Sequence, residues 1–228
     1  MGLDSLTQQQ RFSLSLAAPV LMSDPDFDCQ SLGFGDKDKV AKMLSTQRGI
    51  DTRDQLVKLL DWLDNEGGHT IEYLRLHHYL AEMLYSERKD FIASLASSGS
   101  DQAVPAMLVE QYLYDLGEHT IRAFDIATQS MLTRAGYVMG WFKEDETWQR
   151  LVFQADFIVE HGVFKTHFDY LFSFVVGHAF AEKLDHKGVK AALGNARRLV
   201  VDQDSPYLSF APWPHTGKGN NPVEKVSY

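Results

Sequence analysis

Cysteine is almost absent from this chain: Cys29 is the only one in 228 residues. A single thiol excludes an internal disulfide framework and any zinc site built on several cysteines, and it fits a reducing, cytoplasmic setting. Long apolar runs are missing as well. The stretch from Tyr170 to Val176 falls far short of the roughly 18–20 residues that span a bilayer. Near the start, Asp4 stands where a secretion signal carries basic residues, and Leu6 where a myristoylation signal wants Ser or Thr. No membrane association is therefore expected. Positive charge is in deficit: 22 Lys and Arg against 31 Asp and Glu leave −9 at pH 7. Such a field repels phosphate backbones and anionic lipid, which argues against nucleic acid as a partner. Glycine-rich phosphate loops and Gly-x-Ser-x-Gly elbows are also lacking. Gly33-Phe34-Gly35 has neither the third glycine nor the preceding strand of a dinucleotide loop, so nucleotide-switch, kinase and serine-hydrolase classes lose their motifs.

What the chain has in abundance is helical periodicity. Leu56, Leu59, Leu60 and Leu63 form one apolar stripe after Thr52, and Thr52 with Gln55 has the spacing of a capping box. Gly67-Gly68 supplies the stop. The pattern resumes over Thr70 to Tyr85 and carries on through Phe91, Ile92 and Leu95, until Ser97-Ser98-Gly99-Ser100 breaks it. Further helices are expected over Val104 to Leu116, Glu118 to Tyr137, Trp148 to Val159 with acids at its start, Thr166 to Leu184 and Lys187 to Val200. Gln8 to Leu21 reads as an entry helix, followed by an acidic turn at 23–28. The expectation is a single compact all-α domain of about seven to nine helices of ordinary length. Its parts are an N-terminal helix and acidic loop over 1–48 packed on the body, a core domain over 49–213, and an extended tail over 214–228. Tyr207, Leu208, Phe210 and Trp213 should pack on the body.

Nine histidines raise the question of metal. A helical zinc site wants ligands at i and i+4. His77 and His78 are adjacent and diverge by about 100° on a helix, while His69 lies in the glycine turn. No metal and no cofactor is expected. Cys29 lies close to Asp26 and Asp28, whose field suppresses the thiolate. Asp125 stands out, because its neighbours Ala123, Phe124, Ile126 and Ala127 place an acid at or near the core, where a carboxylate needs partners. Arg122 is one candidate partner and Arg134 a more distant one. Two roles stay open for Asp125: a general acid or base, or a structural ion pair or cap for a neighbouring helix. The aromatics Tyr137, Trp141, Phe142, Trp148, Phe164, Phe168, Tyr170, Phe172, Phe174 and Phe180 read as core. Exposed together, they would mark a protein-binding face.

Four short blocks resemble the bacterial domain-of-unknown-function family 1266. They are Arg48-Gly49-Ile50 with Leu59-Leu60-Asp61-Trp62-Leu63 and Gly67-Gly68-His69; Ala123-Phe124-Asp125-Ile126 with Leu132 to Tyr137; Phe174 to Phe180; and Asp204-Ser205-Pro206 to Trp213. The chain departs from that pattern at Thr128 and His178, where Arg is expected, and at Phe124, His167 and Phe180, where Trp is common. The resemblance implies a compact all-α bacterial domain in the cytoplasm and supplies no reaction.

Two functions are compatible with these residues. The first is a cytoplasmic immunity protein that neutralises a toxin of an inter-bacterial competition system by covering a basic toxin domain, steered by acids at Asp24, Asp26, Asp28, Asp61, Asp64, Glu66, Glu144, Asp145 and Glu146. The second is an enzyme that holds a small polar substrate near Asp125, Arg122 and Arg134.

Overall fold

The computed structural model describes residues 6–21, 29–64, 67–117, 119–203 and 205–214. Asp24, Asp26, Asp28, Glu66 and the tail from 215 lie outside them. Among the described residues the chain is helical without a strand. Its segments are α1 (Gln8–Ser15), α2 (Ala18–Leu21), α3 (Lys37–Arg48), α4 (Arg53–Asp64), α5 (Gly68–Ala81) and α6 (Tyr85–Ser97), then α7 (Ala103–Gln111), α8 (Arg122–Val138), α9 (Glu144–His161), α10 (His167–Ala181), α11 (His186–Val201) and α12 (Pro206–Ser209). The all-α domain expected from the periodicity is what the chain forms.

The higher segment number has two local sources. The run expected to continue from Thr70 past Ser86 is divided: α5 ends at Ala81, and α6 starts afresh after Leu84, whose extended backbone and N–H, bonded to the Glu87 carboxylate at 2.8 Å, set a new helix start. Nothing in Glu82-Met83-Leu84 breaks a helix by composition, so the division is tertiary in origin. Segment α3 was not anticipated, because only Val40 and Leu44 of its twelve residues are buried, too narrow a stripe to register as amphipathic.

Helix α8 is the axis of the fold. Every residue from Ala123 to Gly136 is buried, as expected of a helix enclosed on all sides, here by α4, α9 and α10. α10 can come close because Gly177 lacks a side chain: a Cβ there would lie 2.5 Å from the Cβ of Phe124. α4 begins at the expected capping box, with the Thr52 N–H donating to the Gln55 side chain at 3.0 Å and the Gln55 N–H donating to the Thr52 hydroxyl at 3.4 Å. α9 ends on Gly162 in the left-handed conformation. α1 packs against α9 and α2 against α8, so the N-terminal helices share the core.

The chain after α11 closes over the α10 start. Tyr207 stacks on His167, with ring centroids 4.0 Å apart, and the His167 Nε2 donates to the Ala211 carbonyl at 3.0 Å. Trp213 meets Phe12 and His167 edge-on. Tyr207 and Phe210, three residues apart on the inner face of the short turn α12, are buried as expected, whereas Leu208 between them is exposed. Burial pushes the His167 pKa down to about 4, against the opposing hydrogen bond to Ala211. A histidine that titrates lower when folded leaves the unfolded state holding more protons below its ordinary value of 6.5. Its share of stability is therefore complete above that value, falls as the pH drops toward about 4, and then levels. Urea midpoints measured from pH 7 to 4 should decline more steeply for the parent than for His167→Gln, whose amide keeps a donor for Ala211 and does not titrate. Parallel curves would remove His167 as the cause.

Candidate functional site

The buried acid singled out by sequence is the centre of a cluster. Asp125, 1% exposed, sits in the first turn of α8 and faces the N-terminus of α5. That helix has a structural need. Its N-cap is Gly67, which offers no side-chain acceptor, so the first N–H groups require one from elsewhere. Asp125 provides it across 55 residues: its carboxylate accepts the Thr70 N–H at 2.9 Å, the Thr70 hydroxyl at 2.6 Å and the His69 N–H at 3.3 Å. A fourth contact is to the His69 ring, whose Nδ1 lies 2.8 Å from Oδ1. An ionised carboxylate only accepts, so Nδ1 is the protonated, donating nitrogen. The approach depends on Gly68, held at φ +52°, where a Cβ would lie 3.0 Å from the carboxylate atoms.

Fixing Nδ1 inward leaves the other edge of the ring to the surface. His69 is 20% exposed, and among the described residues its Nε2 has no hydrogen-bond partner. Trp62 and Phe124 hold the ring edge-on at 4.9 and 5.1 Å. The imidazole lines a groove of about 630 Å³, to which α5 contributes Glu72, Arg75, Leu76 and Tyr79, and the α7 and α10 sides contribute Gln102, Phe180 and Lys183. Glu72, Leu76 and Tyr79 follow His69 at helical spacing, so one stripe of α5 forms a wall. Lys183 pairs with Asp101 at 2.9 Å; Arg75 has no ion-pair partner among the described residues. The arrangement supplies an oriented imidazole, mixed charge and aromatic surface in one concavity.

Of the two arginines weighed for Asp125, Arg122 turns to other groups and Arg134 lies well along the helix. Arg122 reaches Asp64 at 4.0 Å and lies over the Phe157 ring. Arg134 is nine residues further along α8, about 13 Å along the helix axis, and donates to the carbonyls of Leu32, Ser31 and Gly33. Arg122, the candidate partner, is thereby corrected to a contact with Asp64, while Arg134 stands two and a half turns from Asp125 as its spacing implies. His69, assigned to a turn before the helix, is in fact within its first turn and is the residue that meets Asp125. The signal for it was the Gly67-Gly68 pair ahead of a helix with no capping side chain.

The described acids proposed for partner binding do not gather. Glu146 bonds both Arg53 at 3.3 Å and Arg150 at 3.2 Å, close to the start of α4. Asp61 and Asp64 lie at the other end of that helix, about 12–16 Å away along its axis. Glu144, Asp145 and Asp61 are exposed. Among the described residues no three His, Cys, Asp or Glu side chains converge as metal ligands, and no helix is long and apolar enough to cross a membrane.

Residues 43–213, three quarters of the chain, match the family model described as "Protein of unknown function (DUF1266)". The chain belongs to the DUF1266 family. The blocks that carried the resemblance in the sequence therefore fall within one family match, and two of them, Gly67-Gly68-His69 and Ala123 to Ile126, meet in space at the Asp125 carboxylate. The uncharacterized protein YbeR of Escherichia coli (strain K12) is similar to this DUF1266 chain, 30% identical over 105 residues, which cover 46% of the chain and 43% of YbeR. The chain thus spans less than half of that relative. No solved structure matches.

Proposed function

We propose that this DUF1266 protein binds a small polar ligand in the groove between α5, α7 and α10, and that His69 acts on it as a general acid or base. The observation that carries this reading is the buried Asp125 carboxylate fixed to His69 Nδ1, with the ring's second nitrogen left to the groove. A carboxylate so placed selects the tautomer with a basic Nε2 and stabilises the imidazolium formed when that nitrogen takes a proton. Asp125 is enclosed and touches no ligand, so it is a positioning residue. Arg75 supplies a charge to orient an anionic group, and Trp62 a face for an apolar one. The setting in this reading is cytoplasmic, in keeping with the single, buried Cys29.

The test is hydrolysis of p-nitrophenyl acetate and p-nitrophenyl phosphate by the purified chain. His69→Gln should lose about 10²-fold or more of the rate per folded molecule while the chain stays folded, since the Thr70 contacts to Asp125 persist. Equal rates in parent and variant, or no turnover of either ester, would defeat the reading. The second reading, protein covering, draws on the charge of −9 and on the exposed Asp61, Glu144 and Asp145. It requires a salt-sensitive complex with a cationic protein, for which lysozyme is a probe, that Asp61→Lys combined with Glu144→Lys abolishes.

A further inference from the structure

The acidic chain carries a helix with cations and no acid. From His186 to Val201, α11 holds Lys187, Lys190, Arg197 and Arg198 and no acid. Arg198 pairs with Asp202 at 3.4 Å, while Lys187, Lys190 and Arg197 have no ion-pair partner among the described residues. The acids at its two caps are engaged: Asp185 accepts the Gly188 N–H, and Asp202 is the partner of Arg198. Lys187, Lys190, Leu193, Arg197 and Val201 recur at three- and four-residue spacing, so cations and apolar side chains share one stripe.

That stripe borders a cleft of about 250 Å³ between α10 and α11, lined by Phe168, Leu171, Phe172, Val175, Leu193 and Arg197. Phe168 is 68% exposed and Leu193 43%. Of the aromatics that the sequence pattern assigned to the core, Phe168 alone is exposed and Phe172 is half-buried beside it, so the apolar surface offered here is that of Phe168 and Leu193 at the mouth of the cleft.

We infer that the α10–α11 cleft is a docking site for an acidic amphipathic helix of a partner protein. Charge complementarity selects this occupant: Arg197 lines the apolar slot, and Lys190 and Lys187 continue the same stripe of α11 beyond it, none of the three with an ion-pair partner among the described residues, so the site attracts carboxylates in a chain whose net charge is −9. Lys190 and Arg197 are seven residues apart, about 10 Å along the axis, which matches two carboxylates at i and i+7 on the incoming helix. A leucine or phenylalanine between them fills the slot against Phe168 and Leu193, the helix-in-groove mode of recognition. The inference is independent of the His69 groove, because the two sites share no residue.

The test uses a fluorescein-labelled helical peptide of 18 residues, with Leu on one face and Glu at i and i+7, and the same peptide with Lys for Glu. Fluorescence anisotropy should show saturable binding of the Glu peptide only. Lys190→Glu combined with Arg197→Glu should weaken it at least tenfold, and Phe168→Ser should do the same, all these side chains being exposed and the variants keeping the parent's thermal midpoint. Absence of binding, equal binding of the Lys peptide, or full retention of affinity in the charge-reversed variant would overturn the proposal. So would sedimentation showing a dimer that Phe168→Ser dissociates, since a second copy would then own the cleft, or binding to phosphatidylglycerol vesicles that outcompetes the peptide.

Discussion

Arg134→Ala should be the most destabilising single substitution on α8, with a loss of about 4–5 kcal/mol. The side chain is 0% exposed, the largest of the fully buried ones. Its guanidinium donates to the carbonyls of Leu32, Ser31 and Gly33 at 3.1 to 3.2 Å and lies over the Phe34 ring at 5.3 Å. Alanine removes charge-assisted hydrogen bonds, leaves the acceptors without that donor and opens a cavity, three separate penalties at one position. Against a total stability of roughly 5–15 kcal/mol for a domain, such a loss leaves a chain that is at best marginal. Arg134→Lys should cost less, about 2–3 kcal/mol, because an ammonium reaches one or two carbonyls but cannot match the planar fork. Urea denaturation of the three proteins checks the order. Amide exchange adds a local readout, since the 29–34 segment should lose protection well before α10 does. Arg134→Ala within about 1 kcal/mol of the parent would show that the loop is held by other means.

The contrast between Arg134 and Asp125 explains what could be read in advance. An acid flanked by Ala123, Phe124, Ile126 and Ala127 announces its burial by composition, and capping a neighbouring helix was one of the two roles open to it. The partner could not be chosen the same way. Arg122 was the nearest opposite charge in sequence, yet the donors that answer the carboxylate are two backbone N–H groups, a hydroxyl and an imidazole some 55 residues earlier. Backbone groups leave no mark in a sequence, and the same holds for the Leu32, Ser31 and Gly33 carbonyls that Arg134 reaches about 100 residues away. Local signals did better. The Thr52–Gln55 box depends on spacing within one turn and stands where the pattern put it. α3 failed the opposite way: its contact with α8 is narrow, so its periodicity is faint although the helix itself is regular. At the exposed end, Phe168 shows the limit of equating aromatic with buried, because the apolar face of α10 is wider than the core it covers.

Asp125→Asn separates the structural and chemical roles of the same carboxylate. The amide oxygen can still accept, but the NH₂ group turns donor toward donor against either Thr70 or His69, and the charge that makes the remaining bonds strong is gone. The expected destabilisation is about 2–4 kcal/mol, or roughly 5–15 °C in thermal midpoint for a domain of this size. His69→Gln should cost less, about 1 kcal/mol, because the Thr70 contacts that cap α5 persist. Ester hydrolysis, in contrast, should fall in both variants. In Asp125→Asn it falls because His69 is no longer held in the tautomer with a basic Nε2; in His69→Gln, because the imidazole is absent. Two measurements on two variants thus give a pattern that neither role produces alone: the larger stability loss in one, rate lost in both. A purely structural Asp125 would lower the midpoint and leave the rate per folded molecule intact. A purely chemical one would do the reverse. Thr70→Val completes the set by removing the 2.6 Å hydroxyl bond without touching the ring contact. It should cost about 1 kcal/mol of stability and keep the hydrolytic rate. A rate lost in Thr70→Val would mean that the capping network, and not the imidazole orientation, sets the geometry of the groove.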